Sequence, residues 1–97
     1  MEFEFDPAKS EANRGKHGIG FEEAQALWEM WGLVKPLPFL AEPRLMRVAL
    51  LGGRHWTAIY TLRGDRVRLI SVRRSRESEI REYERANEGQ DKYDHQP

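Results

Sequence analysis

The stretch RLMRVALLGGRHWTAIYTLRGDRVRLISVRR, residues 44–74, decides the fold. Its apolar positions follow a period of two, and glycine-bearing breaks interrupt it twice. Arg44 to Leu51 reads as a strand, and Gly52-Gly53 as a tight turn. His55 to Leu62 is a second strand, with Trp56, Ala58 and Tyr60 on one face. Arg63-Gly64-Asp65 turns the chain again, and Arg66 to Arg74 is a third strand. Val67 and Leu69 fall on one side of it and Ile70 and Val72 on the other. Apolar groups on both faces point to an interior strand or to a bulge.

Upstream of this antiparallel meander, Glu2 to Phe5 alternates and reads as a short strand. Asp6-Pro7 then starts a helix: the carboxylate accepts from free N–H groups, and proline at the first position loses no hydrogen bond. That helix runs to Lys16 or His17 and stops at Gly18. Phe21 to Met30 has apolar residues at helical spacing, with Glu22 and Glu23 at the favourable end, and Gly32 closes it. Residues 35–43 contain three prolines and read as a loop.

Downstream, Ser75 caps a final helix of about Arg76 to Asn87, whose apolar stripe is only Ile80, Tyr83 and Ala86. The expected architecture is α+β. A small antiparallel sheet, made of a short N-terminal strand and the three-stranded meander, carries two N-terminal helices and one C-terminal helix on one face. The domain is expected over 1–88, with a polar, disordered tail at 89–97.

Composition narrows the chemistry. The 97 residues carry 16 Lys+Arg and 16 Asp+Glu and contain no cysteine, which removes disulfides, thiolate nucleophiles and Cys-ligated zinc. No apolar run approaches a membrane span, and the acidic start is unlike a signal peptide. A cytoplasmic protein is expected. The zero net charge hides a segregation: residues 1–43 hold 4 basic and 8 acidic groups, residues 44–85 hold 11 and 5, and residues 86–97 hold 1 and 3. All eleven basic residues of the middle segment are arginine, whose planar fork matches phosphate or carboxylate. The same density also suits a charged strand edge that resists aggregation.

Several phrases together resemble one family. Phe5-Asp6-Pro7-Ala8-Lys9, Asn13, Lys16-His17-Gly18 and Phe21-Glu22-Glu23-Ala24 are similar to the N-terminal half of the BrnT toxins. Glu42-Pro43-Arg44, the run Tyr60 to Ser71, Arg73 and Tyr83 follow in the same order, so the likeness spans about residues 3–85. Phe5 stands where the family usually has Trp, and Val72 where it has Ala. The resemblance implies a toxin of a bacterial type II toxin–antitoxin pair, with a fold similar to RelE-type ribonucleases and metal-free RNA cleavage that inhibits translation. It also implies a BrnA-like antitoxin as partner, operator DNA bound only through that antitoxin, and a toxin–antitoxin heterotetramer.

Metal-free cleavage needs a base, an acid, a cradle for the extra phosphate charge and in-line positioning. Arginine suits the cradle and is a poor base. Arg73 and Arg63 are the first candidates for phosphate contacts, beside plainer roles as strand-end charge and turn residue. Glu42 and Arg44 match a family Glu-x-Arg and equally fit a surface pair. Tyr83 fits a catalytic or stacking role, or the core. Lys16, His17, Arg66, Arg68 and Arg74 are candidates for RNA binding, though His17 also fits a simple helix end. His55 reads as structural. Trp28, Trp31 and Trp56 sit at core spacing. The three histidines show no metal-ligand spacing and no cofactor motif is present. Two other readings stay open: a non-catalytic module that binds nucleic acid or an acidic partner, and an inactive toxin remnant that still pairs with its antitoxin.

Overall fold

The computed structural model describes residues 1–38 and 41–94, with side chains as far as residue 89. Strand β1 is Glu2–Glu4 and helix α1 is Pro7–His17. The Asp6 carboxylate accepts from the Ala8 N–H at 2.8 Å, a cap worth about 1 kcal/mol. Gly18 ends α1 at φ 81°, a left-handed conformation that favours glycine. Helix α2 is Phe21–Ala24 and passes into a 3₁₀ turn, Gln25–Trp28, in place of the single helix expected to Met30. Arg47 explains the early end. Its guanidinium donates to the carbonyls of Leu27 and Met30, so these need no helical partner. Burial in that position holds the Arg47 pKa below its ordinary value.

The sheet has five strands, not four. Strand β2 (Gly32–Leu37) occupies part of the stretch expected as a loop and pairs antiparallel with β3 (Arg44–Leu51). Pro36 is tolerated because β2 is an edge strand, where one missing N–H breaks no continuous ladder. Strands β4 (Arg54–Arg63) and β5 (Arg66–Arg74) complete the meander. The order is β1-β5-β4-β3-β2, and β1 pairs with β5 in parallel, so the sheet is mixed rather than antiparallel. Helix α3 is Glu77–Asp94, longer than the expected 76–87 and running into the stretch expected as a tail. Residues 95–97 of that tail lie outside the described residues.

The helices do not share one face. The side of α1 and α2 holds Ile19, Phe21, Ala24, Leu27, Ala49, Trp56, Ala58, Tyr60, Val67, Leu69 and Val72. On the opposite side α3 brings Tyr83 onto Met46 and Val48, flanked by Leu33 and Ile59. The thin apolar stripe of α3 is therefore enough for a second, smaller core.

β5 is both an interior strand and a bulged one. Ile59 pairs with Ser71 and Tyr60 with Leu69, which leaves Ile70 without a partner. The extra residue shifts the alternation by one. Val72 returns to the face of Val67 and Leu69, although unbroken alternation puts it opposite them. Arg73 is turned to the α3 face, where unbroken alternation sends it into the main core. Beyond the three residues of β1, the edge of β5 is completed by a side chain. The Asn13 amide donates to the Val72 carbonyl at 2.9 Å and accepts from the Val72 N–H at 3.2 Å. It also donates to Ile19 O at 2.8 Å, so the buried amide and the strand edge satisfy each other.

Candidate active site

The α3 face of the sheet collects the arginines. Thr57 pairs with Arg73, Thr61 with Arg68 and Arg63 with Arg66, and side chains of one parity on β4 and β5 share this side. Arg44 joins them by alternation with Met46 on β3. They form two clusters. Arg66 and Arg73 are seven positions apart along one strand, or about 20 Å.

The first cluster lies where α3 begins. Arg73 Nη1 and Nη2 donate to the two carboxylate oxygens of Glu79, both at 2.8 Å. Glu79 Oε1 also accepts from the Thr57 hydroxyl at 3.0 Å and from the Arg76 N–H at 2.8 Å. The Thr57 and Ser75 hydroxyls lie 2.7 Å apart. Burial alone pushes the Glu79 carboxyl up, but the hydrogen bonds from Arg73, Arg76 and Thr57 outweigh it and hold it at about 2. The same bond to Glu79 raises the Arg73 pKa against a smaller opposing effect of burial. Nη1 also donates to the Arg74 carbonyl at 3.3 Å. A guanidinium has five N–H donors. Nη1 uses both of its own and Nη2 one, which leaves the Nε–H and one Nη2–H for a ligand.

The second cluster is looser. Glu4 Oε1 lies 3.6 Å from Arg63 Nε and 3.9 Å from Arg68 Nη1, and Glu2 lies 3.1 Å from Arg66 Nε. Glu4 Oε1 is buried and makes no hydrogen bond among the described residues, as does Arg44 Nε. A cleft of about 430 Å³ lined by Leu37, Pro43, Arg44, Leu45, Thr61 and Leu62 opens beside this cluster.

The remaining candidates are dispersed. Arg74 is on the opposite face, its guanidinium 5.6 Å from the Trp56 ring centroid, and does not join the arginine face. Lys16 and His17 line a shallow depression against Ile70 and Ser71, at the β5 edge. Glu42 is exposed in the bend before β3. Tyr83 is buried, with ring centroids 5.2 Å from Trp31 and 4.9 Å from His55, and burial raises its pKa. Trp28 packs on Phe3 and Tyr60 in the main core. Sequence reasoning missed Glu79, Thr57 and Glu4. One signal was available for Glu79: it stands three residues after Arg76, which is the spacing of a carboxylate returning to a helix-start N–H. Ser75 is not that start; α3 begins one residue later.

Residues 5–79 match the model of the family described as the ribonuclease toxin BrnT of type II toxin–antitoxin systems. The chain belongs to the BrnT family. No curated protein matches it. Membership of the BrnT family makes the chain a type II toxin ribonuclease by class, with an antitoxin as its partner. The BrnT match covers every strand of the sheet from β2 to β5, and it ends at Glu79, the carboxylate that holds Arg73. Among the described residues no helix is long and apolar enough to cross a membrane, and no three His, Asp or Glu are grouped to hold a metal ion.

Proposed function

We propose that this chain is a metal-independent endoribonuclease that inhibits translation in the cytoplasm and is neutralised by a BrnA-like antitoxin. The observation that carries the reading is the gathering of Arg44, Arg63, Arg66, Arg68 and Arg73 on one sheet face. Arg73, fixed by Glu79 with two donors to spare, supplies the charge that the phosphorane-like transition state requires. Arg44, Arg63, Arg66 and Arg68 bind phosphates farther along the strand, and Glu2 and Glu4 give way to them. The element order, with a bare sheet face beside the last helix, supports a RelE-like architecture. Operator DNA is reached only through the antitoxin, in a heterotetramer of two toxins and two antitoxins.

Induced expression followed by mapping of RNA ends tests this. Growth arrest with new cleavage sites is expected, with about 10²-fold less cleavage in Arg73→Lys, which keeps the charge and loses the fork. EDTA should leave the rate unchanged; loss on chelation and recovery with added metal would refute the metal-free mechanism. A second reading, a non-catalytic RNA- or partner-binding module, draws on the three donors that Arg73 already spends within the protein. Tight RNA binding with intact RNA ends would decide for it.

A further inference from the structure

His55, at the second position of β4, has no part in the scheme above. Four side chains nonetheless share one corner of the α3 face, and His55 is one of them. Arg73 bonds Glu79 through both terminal nitrogens. Glu79 and Tyr83 are four residues apart on α3 and so lie one turn apart on the same side. The rings of Tyr83 and His55 meet edge to face, 4.9 Å between centroids and 79° between planes. His55 and Arg73 are diagonal neighbours across β4 and β5, because Thr57 pairs with Arg73 and His55 precedes Thr57 by two. Diagonal partners are about 7–8 Å apart, within reach of long and aromatic side chains. The backbone fixes the same corner: the His55 carbonyl accepts from the Ser75 N–H at 3.0 Å.

The ring itself is half-buried. Neither nitrogen bonds a protein group among the described residues, and neither is among their fully buried polar atoms left without a partner. An imidazole is thus held half-buried against Tyr83, beside the one arginine of the face whose fork is rigidly fixed. The other titratable groups of the corner are poor proton acceptors. Glu79 is saturated by Arg73, Arg76 and Thr57, and the Tyr83 hydroxyl belongs to a buried ring.

We propose that His55 is the general base of the cleavage, taking the proton of the attacking 2′-hydroxyl. This rests on the endoribonuclease reading and gives it the proton acceptor it lacks. The O–H bond breaks toward a ring nitrogen, and the freed electron pair forms the bond from the 2′-oxygen to the adjacent phosphorus. The phosphorus–5′-oxygen bond breaks, and the departing oxygen keeps its pair and takes a proton from water. The imidazolium then returns its proton to the hydroxide left behind. The products are a 2′,3′-cyclic phosphate and a 5′-hydroxyl end, with no oxidant, metal or nucleotide consumed.

The test compares wild type, His55→Ala and His55→Gln on an end-labelled single-stranded RNA, with kcat, KM and the thermal transition measured for each. Both variants should lose about 10²-fold or more in kcat with KM within about threefold. Imidazole added at tens of millimolar should restore at least about tenfold to His55→Ala, whose cavity admits it, and nothing to His55→Gln. A side chain that merely packs against Tyr83 would show no such recovery. The proposal is overturned by a folded His55→Gln at the wild-type rate, or by a folded His55→Ala that is slow and unmoved by imidazole. Failure of the wild-type chain to cut any RNA brings down the endoribonuclease reading itself, which separates the two outcomes.

Discussion

The two ends of the α3 face use arginine in opposite ways. Where α3 begins, the Arg73 and Glu79 side chains are 22% and 10% exposed and meet at 2.8 Å. At the far end the Arg63 and Arg66 side chains are 64% and 55% exposed, and their carboxylate partners stand 3.6 and 3.1 Å away. A buried pair that loses one partner strands a charge in low dielectric, at a cost of about 3–5 kcal/mol. An exposed pair is worth about 0–1 kcal/mol and is screened by salt. The first end is therefore a rigid corner, in which the chain itself has chosen the orientation of the guanidinium. The second is an exchangeable surface, where a phosphate can displace a carboxylate at little expense to folding.

The strongest way to break this contrast is at the corner. Glu79→Ala should lower stability by about 3 kcal/mol, read as a drop in the urea midpoint, because Arg73, Arg76 N–H and Thr57 all lose their acceptor. A change below 1 kcal/mol would mean that the corner is no more than another surface pair. The pH dependence comes next. The Glu79 carboxyl is held at about 2 in the folded protein, below its unfolded value of about 4.3. Its stabilisation is fully present above about pH 4.3 and is lost as pH falls through about 2. Wild type minus Glu79→Gln should thus shrink by roughly 2–3 kcal/mol between pH 5 and pH 2 in denaturant titrations. At the exchangeable end the effect should fall on RNA and spare the fold. Arg68→Ala should flatten the salt dependence of single-stranded RNA binding by about 0.7 in log–log slope, with stability changed by less than about 0.5 kcal/mol. The smallest effect is expected of Glu4→Gln, which should tighten RNA binding a few-fold. A weakened affinity there would show that Glu4 orders the arginines rather than competing for them.

Much of this molecule is legible from local chemistry. Asp6-Pro7 and Gly18 bracket α1 as capping rules require, and the glycines of Gly52-Gly53 and Gly64, all with positive φ, mark the hairpins. What stayed hidden depends on distant partners. Pro36 reads as a breaker until the strand is known to lie at the sheet edge. The end of α2 depends on Arg47, twenty residues away along the chain from Leu27. Glu79 looks like one acid among several on a solvated helix until Thr57 and Arg73 arrive beneath it. For the candidate site, the arginine stretch was evident, but the division into a fixed and a loose cluster was not. Nor was the displacement of Arg74 to the other side, because both depend on a register that alternation alone gets wrong.

That register rests on one unpaired residue, Ile70. It divides β5 into two segments whose inside-outside phase is set independently. Substitutions before it retune only the loose arginines, and substitutions after it only the fixed one. Removing Ile70 alone would leave Val72 two positions after Leu69, so plain alternation would keep Val72 beneath α1 and Arg73 toward α3, and the strand would lose only its bulge.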